Sequence, residues 1–265
     1  MTKLSKLFNT LENWLLPYCC ILCSKLSDQS YDLCQSCEQE LAWVNNTCLQ
    51  CGITLEHDVI NTRCGQCHAC LPSFNFTTTA FDYIDQAALL ITQFKFKHQL
   101  VYGRVLSELL AKKILAQYSL NTLEQAQLPE IIIPMPLHWW RHTLRGYNQS
   151  AIIAKILGKN LSIPVVQNII KRHKFTKPQR LLNLKARKQN MRGAFKLKKT
   201  SKTLNKKSSK QLNYQHIAIV DDVMTTGNTV NTVAKLLKQH GVKTVTVWVL
   251  ARANHHNCAG IQDLP

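Results

Sequence analysis

The sequence predicts an α/β fold, in which helices flank a parallel β-sheet, preceded by a small cysteine-rich domain that binds two zinc ions. Strand-like and helix-like segments alternate from about residue 131 to residue 250, an order that is typical of parallel sheets. Ten of the eleven cysteines lie between residues 19 and 70, most of them in Cys-x-x-Cys pairs. Such pairs are typical of structural zinc sites.

The composition narrows the class of protein. The chain has 265 residues, of which 45% are hydrophobic, so it can form one large domain or two smaller ones with a real core. No stretch approaches the roughly 20 apolar residues of a membrane span, and the N-terminus lacks the pattern of a secretory signal. We therefore expect a cytoplasmic protein, whose reducing surroundings favour metal-bound cysteines over disulfides. The net charge of +18 indicates a polyanionic partner, most simply nucleic acid.

Residues 1–18 are predicted to form a short amphipathic helix. Leu4, Leu7, Leu11 and Trp14 recur near helical spacing. Such a helix would pack on the cysteine-rich domain that follows it. Docking on a membrane surface or on a partner protein is the alternative.

The cysteine-rich domain is expected to span residues 19–72. Two Cys-x-x-Cys turns direct four thiolates at one metal and leave no open position, so the zinc in each site would be structural. The first predicted ligand set is Cys20, Cys23, Cys34 and Cys37, and the second is Cys48, Cys51, Cys64 and Cys67. A cross-braced pairing of the turns is an alternative, as is a redox or disulfide cluster.

Two cysteines, Cys19 and Cys70, are left over from this assignment. Cys67 and Cys70 also have Cys-x-x-Cys spacing, so the last pair is ambiguous. We choose Cys64 and Cys67 because Gly65 gives that turn the small residue that such turns favour.

Residues 73–252 carry the hydrophobic patterns of the sheet and its helices. The predicted strands are residues 78–83, 131–136, 165–170, 217–220 and 243–250, and the predicted helices are residues 87–96, 101–115, 150–157 and 230–237. Gly241 is expected just beyond the end of the last helix. Lys95 is interpreted as part of a solvated face, and residues 253–265 are expected to be disordered.

The loop after residues 131–136 is a candidate anion site. It contains Arg141, Arg145 and Gly146 and leads into a helix. Arginines and a helix N-terminus together suit a phosphate or pyrophosphate group. The alternative is a surface loop that binds DNA phosphates or no ligand.

A strongly basic segment follows, with sixteen Lys or Arg and no Asp or Glu in residues 171–210. In its first half, Arg187 and Asn190 lie among apolar positions, which indicates a structured flap. Residues 196–212 are predicted to be a mobile basic insertion. Contact with the phosphates of nucleic acid would use this charge and would weaken with salt. A solvated insertion without a role is the alternative.

The strongest functional signal is the segment from Ile217 to Thr229. Four apolar residues predict a buried strand, and Asp221 and Asp222 follow it. The predicted phosphate ligands in the loop beyond are Thr225, Thr226, Gly227, Asn228 and Thr229. Backbone N–H groups, hydroxyls and a helix N-terminus suit phosphate, whereas two carboxylates would repel it and suit hydroxyls or a divalent cation. A sugar phosphate satisfies both halves; an ordinary capped helix is the alternative.

This segment resembles the phosphoribosyl diphosphate (PRPP) motif of type I phosphoribosyltransferases, in which an apolar strand leads to two acids and a Thr-Thr-Gly-x-Thr loop. Other segments extend the likeness: Pro-Met-Pro-Leu at residues 134–137, Arg-Gly-Tyr-Asn-Gln-Ser at residues 145–150, and the paired cysteines. With these, the chain resembles the ComF family from about Cys20 to Arg252.

The resemblance implies a type I phosphoribosyltransferase-like fold that binds PRPP with Mg²⁺. The implied catalytic residues are Asp221, Asp222 and Arg145, and the pyrophosphate and flap candidates are Gly146, Arg187 and Asn190. Members of the family are linked to natural competence, in which single-stranded DNA is handled in the cytoplasm beside a helicase-like partner.

Two functions of different class are therefore open. In the first, the protein is an enzyme that transfers the phosphoribosyl group of PRPP to an acceptor. In the second, it is a non-catalytic protein that handles single-stranded DNA through its zinc modules and basic segment.

Overall fold

The computed structural model describes residues 17–55, 62–96, 99–119, 127–137, 146–172, 194–198, 204–205 and 208–253. Several sequence predictions lie wholly or mainly outside these residues. They are the N-terminal helix, the C-terminal tail, the flap that contains Arg187 and Asn190, and the part of the anion loop that contains Arg141 and Arg145.

The described elements form a cysteine-rich N-terminal region and a parallel sheet with helices on both faces. In chain order they are α1 (Gln35–Gln39), α2 (Gly65–Ala69), β1 (Phe76–Asp82), α3 (Asp85–Phe96), α4 (Leu100–Ser119), β2 (Ile131–Pro134), α5 (Gln149–Leu161), β3 (Ile170–Arg172), β4 (Phe195–Leu197), β5 (Leu204–Asn205), β6 (Ser208–Leu212), β7 (His216–Met224), α6 (Asn228–Gln239) and β8 (Thr244–Arg252). The main sheet has the order β1-β8-β7-β2, and every neighbouring pair is parallel. Among the described helices, none combines the length and apolar character needed to cross a bilayer.

Strands β2, β7 and β8 are apolar along most of their length because both faces of the sheet are covered. Ile132, Ala218 and Trp248 pack with helices α3, α4 and α5 on one face. Their neighbours Ile133 and Ile219 pack with α6 on the other face. The buried strands predicted from unbroken apolar runs are therefore confirmed, and they place β7 inside the sheet.

Residues 165–170 were predicted to be a strand of this sheet, and that prediction is wrong. Val165 makes only an isolated bridge to Ile132, and the chain then turns before β3 begins at Ile170. β3 instead pairs with β4 in a separate antiparallel sheet. The physical reason is Asn168, whose φ of 68° takes the backbone out of the extended conformation.

The basic segment at residues 196–212 was predicted to be a mobile loop, and its described part instead contains strands. β5 and β6 pair as an antiparallel hairpin. Leu212 at the end of β6 is buried, and its N–H donates to the carbonyl of His240 (2.8 Å), just beyond α6. The prediction relied on the positive charge of the segment and did not take the apolar residue Leu212 into account.

The cysteine-rich region lies along β1, at one edge of the sheet. In its first half, residues 42–44 run beside the strand, and the N–H of Val44 donates to the carbonyl of Ala80 (3.1 Å). In its second half, the carbonyl of Leu49 accepts from the N–H of Thr77 (3.0 Å). Both halves are therefore bonded directly to the sheet through backbone groups.

Candidate functional site

The acid pair lies near the carboxyl end of strand β7, where the parallel strands of the sheet end. Asp221 and Asp222 lie in the last part of the strand, which ends at Met224, and α6 begins at Asn228. The connecting loop turns at Gly227, whose φ of 72° lies in the left-handed region that glycine adopts without strain. The loop and helix follow the strand as predicted, but the strand continues to Met224, so both acids lie within it and not after it.

The loop and the first turn of α6 surround a cleft of about 40 Å³, lined by residues 221 and 223–230. Gly227 is the N-cap residue of α6, and it supplies no side-chain acceptor for the first N–H groups of the helix. The hydroxyl of Thr226 lies 3.5 Å from the nitrogen of Asn228, which is a long contact. Because a helix N-terminus carries partial positive charge, the cleft has the chemistry of an anion site.

The two carboxyl groups of the acid pair have different surroundings. Oδ1 of Asp221 accepts hydrogen bonds from the hydroxyl of Ser150 (3.0 Å) and from the N–H of Asp222 (2.9 Å). Oδ2 of Asp222 lies 3.2 Å from Nζ of Lys95, in an ion pair whose side chains are each 14% exposed. Burial and the negative charge of Asp222 raise the pKa of Asp221 to about 7. Asp221 therefore takes up a proton more readily than an ordinary carboxyl group, while Asp222 is paired with a cation.

Ser150 and Lys95 are contacts of the acid pair that sequence reasoning missed. The interpretation of Lys95 as part of a solvated face is wrong, because its side chain is only 14% exposed and its Nζ also lies 5.8 Å from the centre of the Tyr83 ring. Ser150 is the last residue of the Arg-Gly-Tyr-Asn-Gln-Ser segment and the second residue of α5. The feature of the sequence that could have indicated this contact is the position of Ser150 at the start of a predicted helix, where a side chain can face the ends of the strands.

The described part of the predicted anion loop joins β2 to α5. Gly146 has a φ of 68°. The hydroxyl of Tyr147 donates to the carbonyl of Phe94. The side chain of Asn148 accepts from the N–H of Ser150 (3.1 Å) and caps α5. The remaining site candidates outside the described residues are Arg145, Arg187 and Asn190.

The eight predicted zinc ligands come together as two clusters. Within each cluster the four Sγ atoms lie within 4.8 Å of one another. One cluster is Cys20, Cys23, Cys34 and Cys37, and the other is Cys48, Cys51, Cys64 and Cys67. The structure thus groups the turns sequentially rather than crosswise. Cys19 and Cys70 belong to neither cluster and are exposed.

The second cluster has donors that fit a metal cation. Sγ of Cys51 lies 3.6 Å from Sγ of Cys64, and the N–H of Cys64 donates to Sγ of Cys48 (3.2 Å). The hydrogen bond between the Cys48 and Cys51 side chains lowers the pKa of Cys48 to about 4 and raises the pKa of Cys51, so the two thiols share one proton between them. A closed set of four sulfur atoms fits structural Zn²⁺.

Two family models match the chain. The double zinc ribbon domain matches residues 11–71, and the phosphoribosyl transferase domain matches residues 148–258. The first match contains both cysteine clusters, and the second contains the acid pair and the loop. The chain therefore combines a phosphoribosyltransferase-type fold with an N-terminal double zinc ribbon, whose two clusters are sites for structural zinc.

Known relatives match nearly the whole chain. Competence protein F of Haemophilus influenzae is 37% identical over 235 residues, which cover 88% of this chain and 96% of the relative. DNA utilization protein YhgH of Escherichia coli O157:H7 is 33% identical over 89% of this chain and 98% of the relative. A solved hypoxanthine phosphoribosyltransferase of Trypanosoma cruzi is more distant: it aligns over 62% of this chain and 68% of its own with 16% identity and a TM-score of 0.35. With competence protein F and DNA utilization protein YhgH, the chain belongs to the ComF family.

Proposed function

We propose that the protein binds PRPP or a related sugar phosphate at the acid pair and phosphate loop, and that it transfers the phosphoribosyl group to an acceptor. One observation carries the proposal: two chemically opposite half-sites adjoin within residues 221–229. The acid pair suits the ribose hydroxyls, and the N-terminus of α6 with its loop suits the 5′-phosphate. Neither half alone would select a sugar phosphate.

The acid pair would act on charge that develops during transfer. The bond between C1 of the ribose and an oxygen of pyrophosphate breaks, a bond forms from C1 to the acceptor atom, and the acceptor loses a proton. Positive charge develops on the ribose in between, and Asp221 and Asp222 would stabilise it. Ser150 and Lys95 hold the two carboxyl groups in place before the ligand binds. No covalent nucleophile on the protein is needed.

The leaving group would be held by residues beyond the acid pair. Arg145 and Gly146 are proposed to bind the pyrophosphate, and Arg187 and Asn190 are proposed to belong to a flap that excludes water. Bound Mg²⁺ would neutralise part of the pyrophosphate charge. The acid pair and the pyrophosphate oxygens are hard oxygen donors of the kind that this ion prefers.

Calorimetric titration of the zinc-loaded protein with PRPP and Mg²⁺ tests the proposal. We expect saturable binding of one PRPP per chain. Ribose 5-phosphate, which retains both groups that the described residues would contact, should compete with PRPP, whereas ribose without the phosphate should not. Failure of the wild-type protein to bind either phosphorylated ligand would contradict the proposal.

We also propose a role in DNA uptake, because the relatives are named for competence and for DNA utilization. A second candidate function, contact with single-stranded DNA, is favoured by a specific feature of the sheet formed by β3 and β4. Lys171 and Lys196 pair directly opposite each other and are both exposed. Like charges in this position repel each other, and a polyanion would relieve the repulsion. The helicase-like partner stays a prediction of the resemblance.

The salt dependence of DNA binding tests this second candidate. Affinity for an oligothymidylate should fall steeply between about 50 and 200 mM salt, because each phosphate contact contributes roughly −0.7 to the logarithmic slope. Replacing Lys171 and Lys196 by glutamine should reduce the slope by about 1.4. Lys155→Gln with Lys159→Gln, two exposed positions on α5, is the charge-matched control and should leave the slope unchanged. A salt-independent affinity in fluorescence anisotropy would rule out this function.

A further inference from the structure

Arg252, at the end of β8, is a buried arginine whose guanidinium donates hydrogen bonds to backbone carbonyl groups. The residue is 3% exposed. Its Nε donates to the carbonyl of Cys51 (3.0 Å), and its Nη1 donates to the carbonyls of Met224 (2.9 Å) and Ala253 (3.2 Å). Among the described residues, no carboxylate lies within ion-pair distance of this guanidinium. Such a buried charge is costly unless its surroundings compensate it.

The partners of Arg252 belong to the two sites described above. Cys51 is a member of the second cysteine cluster. Met224 is the last residue of β7, next to the phosphate loop. The planar guanidinium therefore bonds the backbone of a zinc ligand and the base of the loop at once, through two donors whose spacing is fixed by the group itself.

Close packing leaves little freedom between the second cluster and the sheet. A Cβ atom on Gly52, next to Cys51, would lie 2.4 Å from Oγ1 of Thr79. The hydroxyl of Thr77 donates to the carbonyl of Gln50 (2.7 Å). Because packed protein transmits displacement instead of absorbing it, a shift of the metal-binding turn would reach β8 and Arg252.

Electrostatic interactions also favour coupling between the second cysteine cluster and the phosphate loop. Four thiolates carry more negative charge than one Zn²⁺ neutralises, so a loaded second cluster favours a cation next to Cys51. The same cation, bonded to Met224, favours an anion in the adjacent loop. The metal-loaded cluster, which is net negative, Arg252 and a phosphate in the loop therefore form an alternating series of charges.

We propose that Arg252 is a positioning residue that couples the second cysteine cluster to the phosphate loop, so that metal in the cluster orders the loop and strengthens sugar-phosphate binding. The ligand half of this inference rests on the proposed function, whereas the ordering of the loop does not. Coupling between two binding events is reciprocal, so the phosphate ligand should also retain the metal.

Hydrogen exchange of the backbone amides tests the coupling without any ligand. Cys64→Ser removes a ligand of the second cluster, and Cys23→Ser is the matched control in the first cluster. We expect the amides of residues 225–231 to exchange about fivefold faster or more in Cys64→Ser than in Cys23→Ser. Residues 105–111 in the centre of α4 should stay protected in both, which excludes global unfolding. Equal exchange of the loop in the two variants would overturn the coupling.

Zinc release tests Arg252 itself. In a Cys23→Ser background, a chromogenic chelator reports the release of zinc from the second cluster alone. Arg252→Lys keeps the charge but loses the fixed spacing of the Nε and Nη1 donors, and it should speed this release by about fivefold or more. Ribose 5-phosphate should slow release when Arg252 is present and not in Arg252→Lys. Unchanged release in Arg252→Lys would contradict the role of Arg252. If calorimetry shows that the protein binds neither PRPP nor ribose 5-phosphate, the proposed function fails, and the exchange experiment still decides the coupling.

Discussion

Replacing Asp221 and Asp222 together by asparagine should weaken the binding of PRPP by about 100-fold or more. Asparagine has the shape of aspartate but not its charge, and each hydrogen bond to a charged group contributes about 1.5–3 kcal/mol. Two such bonds, at about 1.4 kcal/mol for each tenfold change in affinity, account for a loss of this size. Calorimetric titration of the variant beside the wild-type protein measures it.

A control for this variant must remove two acids without touching the site. Glu108→Gln with Glu130→Gln changes the net charge equally. Glu108 accepts a hydrogen bond from the side chain of Asn160 on the helical surface (2.6 Å). Glu130 accepts from the N–H groups of Gln215 and His216, at the amino end of β7 and therefore far from the acid pair along the strand. This control should bind PRPP as the wild-type protein does. Binding retained by the Asp221/Asp222 variant, at an unchanged melting temperature, would show that the acid pair does not hold the ligand.

Loss of zinc should have the largest effect on stability. Structural zinc contributes about 10–16 kcal/mol of apparent binding free energy in zinc-finger peptides, and a ribbon with so small a core depends on it. Serine at Cys23 or at Cys64 should lower the zinc content from two ions per chain to one. Since each kcal/mol shifts the melting temperature of a domain of this size by about 2–4 °C, we expect a decrease of about 10 °C or more.

Cys19 and Cys70 supply the matched controls for the zinc variants. Both are exposed and lie outside the clusters. Cys19→Ser and Cys70→Ser should keep two zinc ions and the wild-type melting temperature. A loss of zinc from Cys70→Ser, with full zinc in Cys64→Ser, would show that the last pair of ligands had been assigned wrongly. Elemental analysis and thermal unfolding provide both measurements.

Local patterns explain why parts of this architecture could be predicted from sequence. A strand covered on both faces must be apolar at successive positions, as Ile131 to Ile133 and Ile217 to Val220 are. Two thiolates that bind one metal from one turn must be close in sequence, so the cysteine spacing indicated both clusters. The two halves of the proposed sugar-phosphate site also lie close together in the sequence, within residues 221–229.

Other parts of the site depend on contacts between distant segments. Ser150 bonds Asp221 across 71 positions, and Arg252 bonds Cys51 across 201 positions. Such pairs leave no periodic or spacing signal in a single sequence. Residues 165–170 show a different failure, in which a local pattern is present but misleading. Their apolar run predicts a strand, but the left-handed backbone of Asn168 ends the extended conformation.

The backbone bonds between the cysteine-rich region and β1 also protect the sheet from other chains. β1 is an edge strand of the main sheet, and an exposed edge offers unpaired N–H and carbonyl groups to any extended segment. Residues 42–44 and Leu49 occupy groups along that edge. If the ribbons lose their zinc and separate from β1, the freed edge becomes a template for strand addition. We therefore expect loss of zinc to promote self-association through this edge strand.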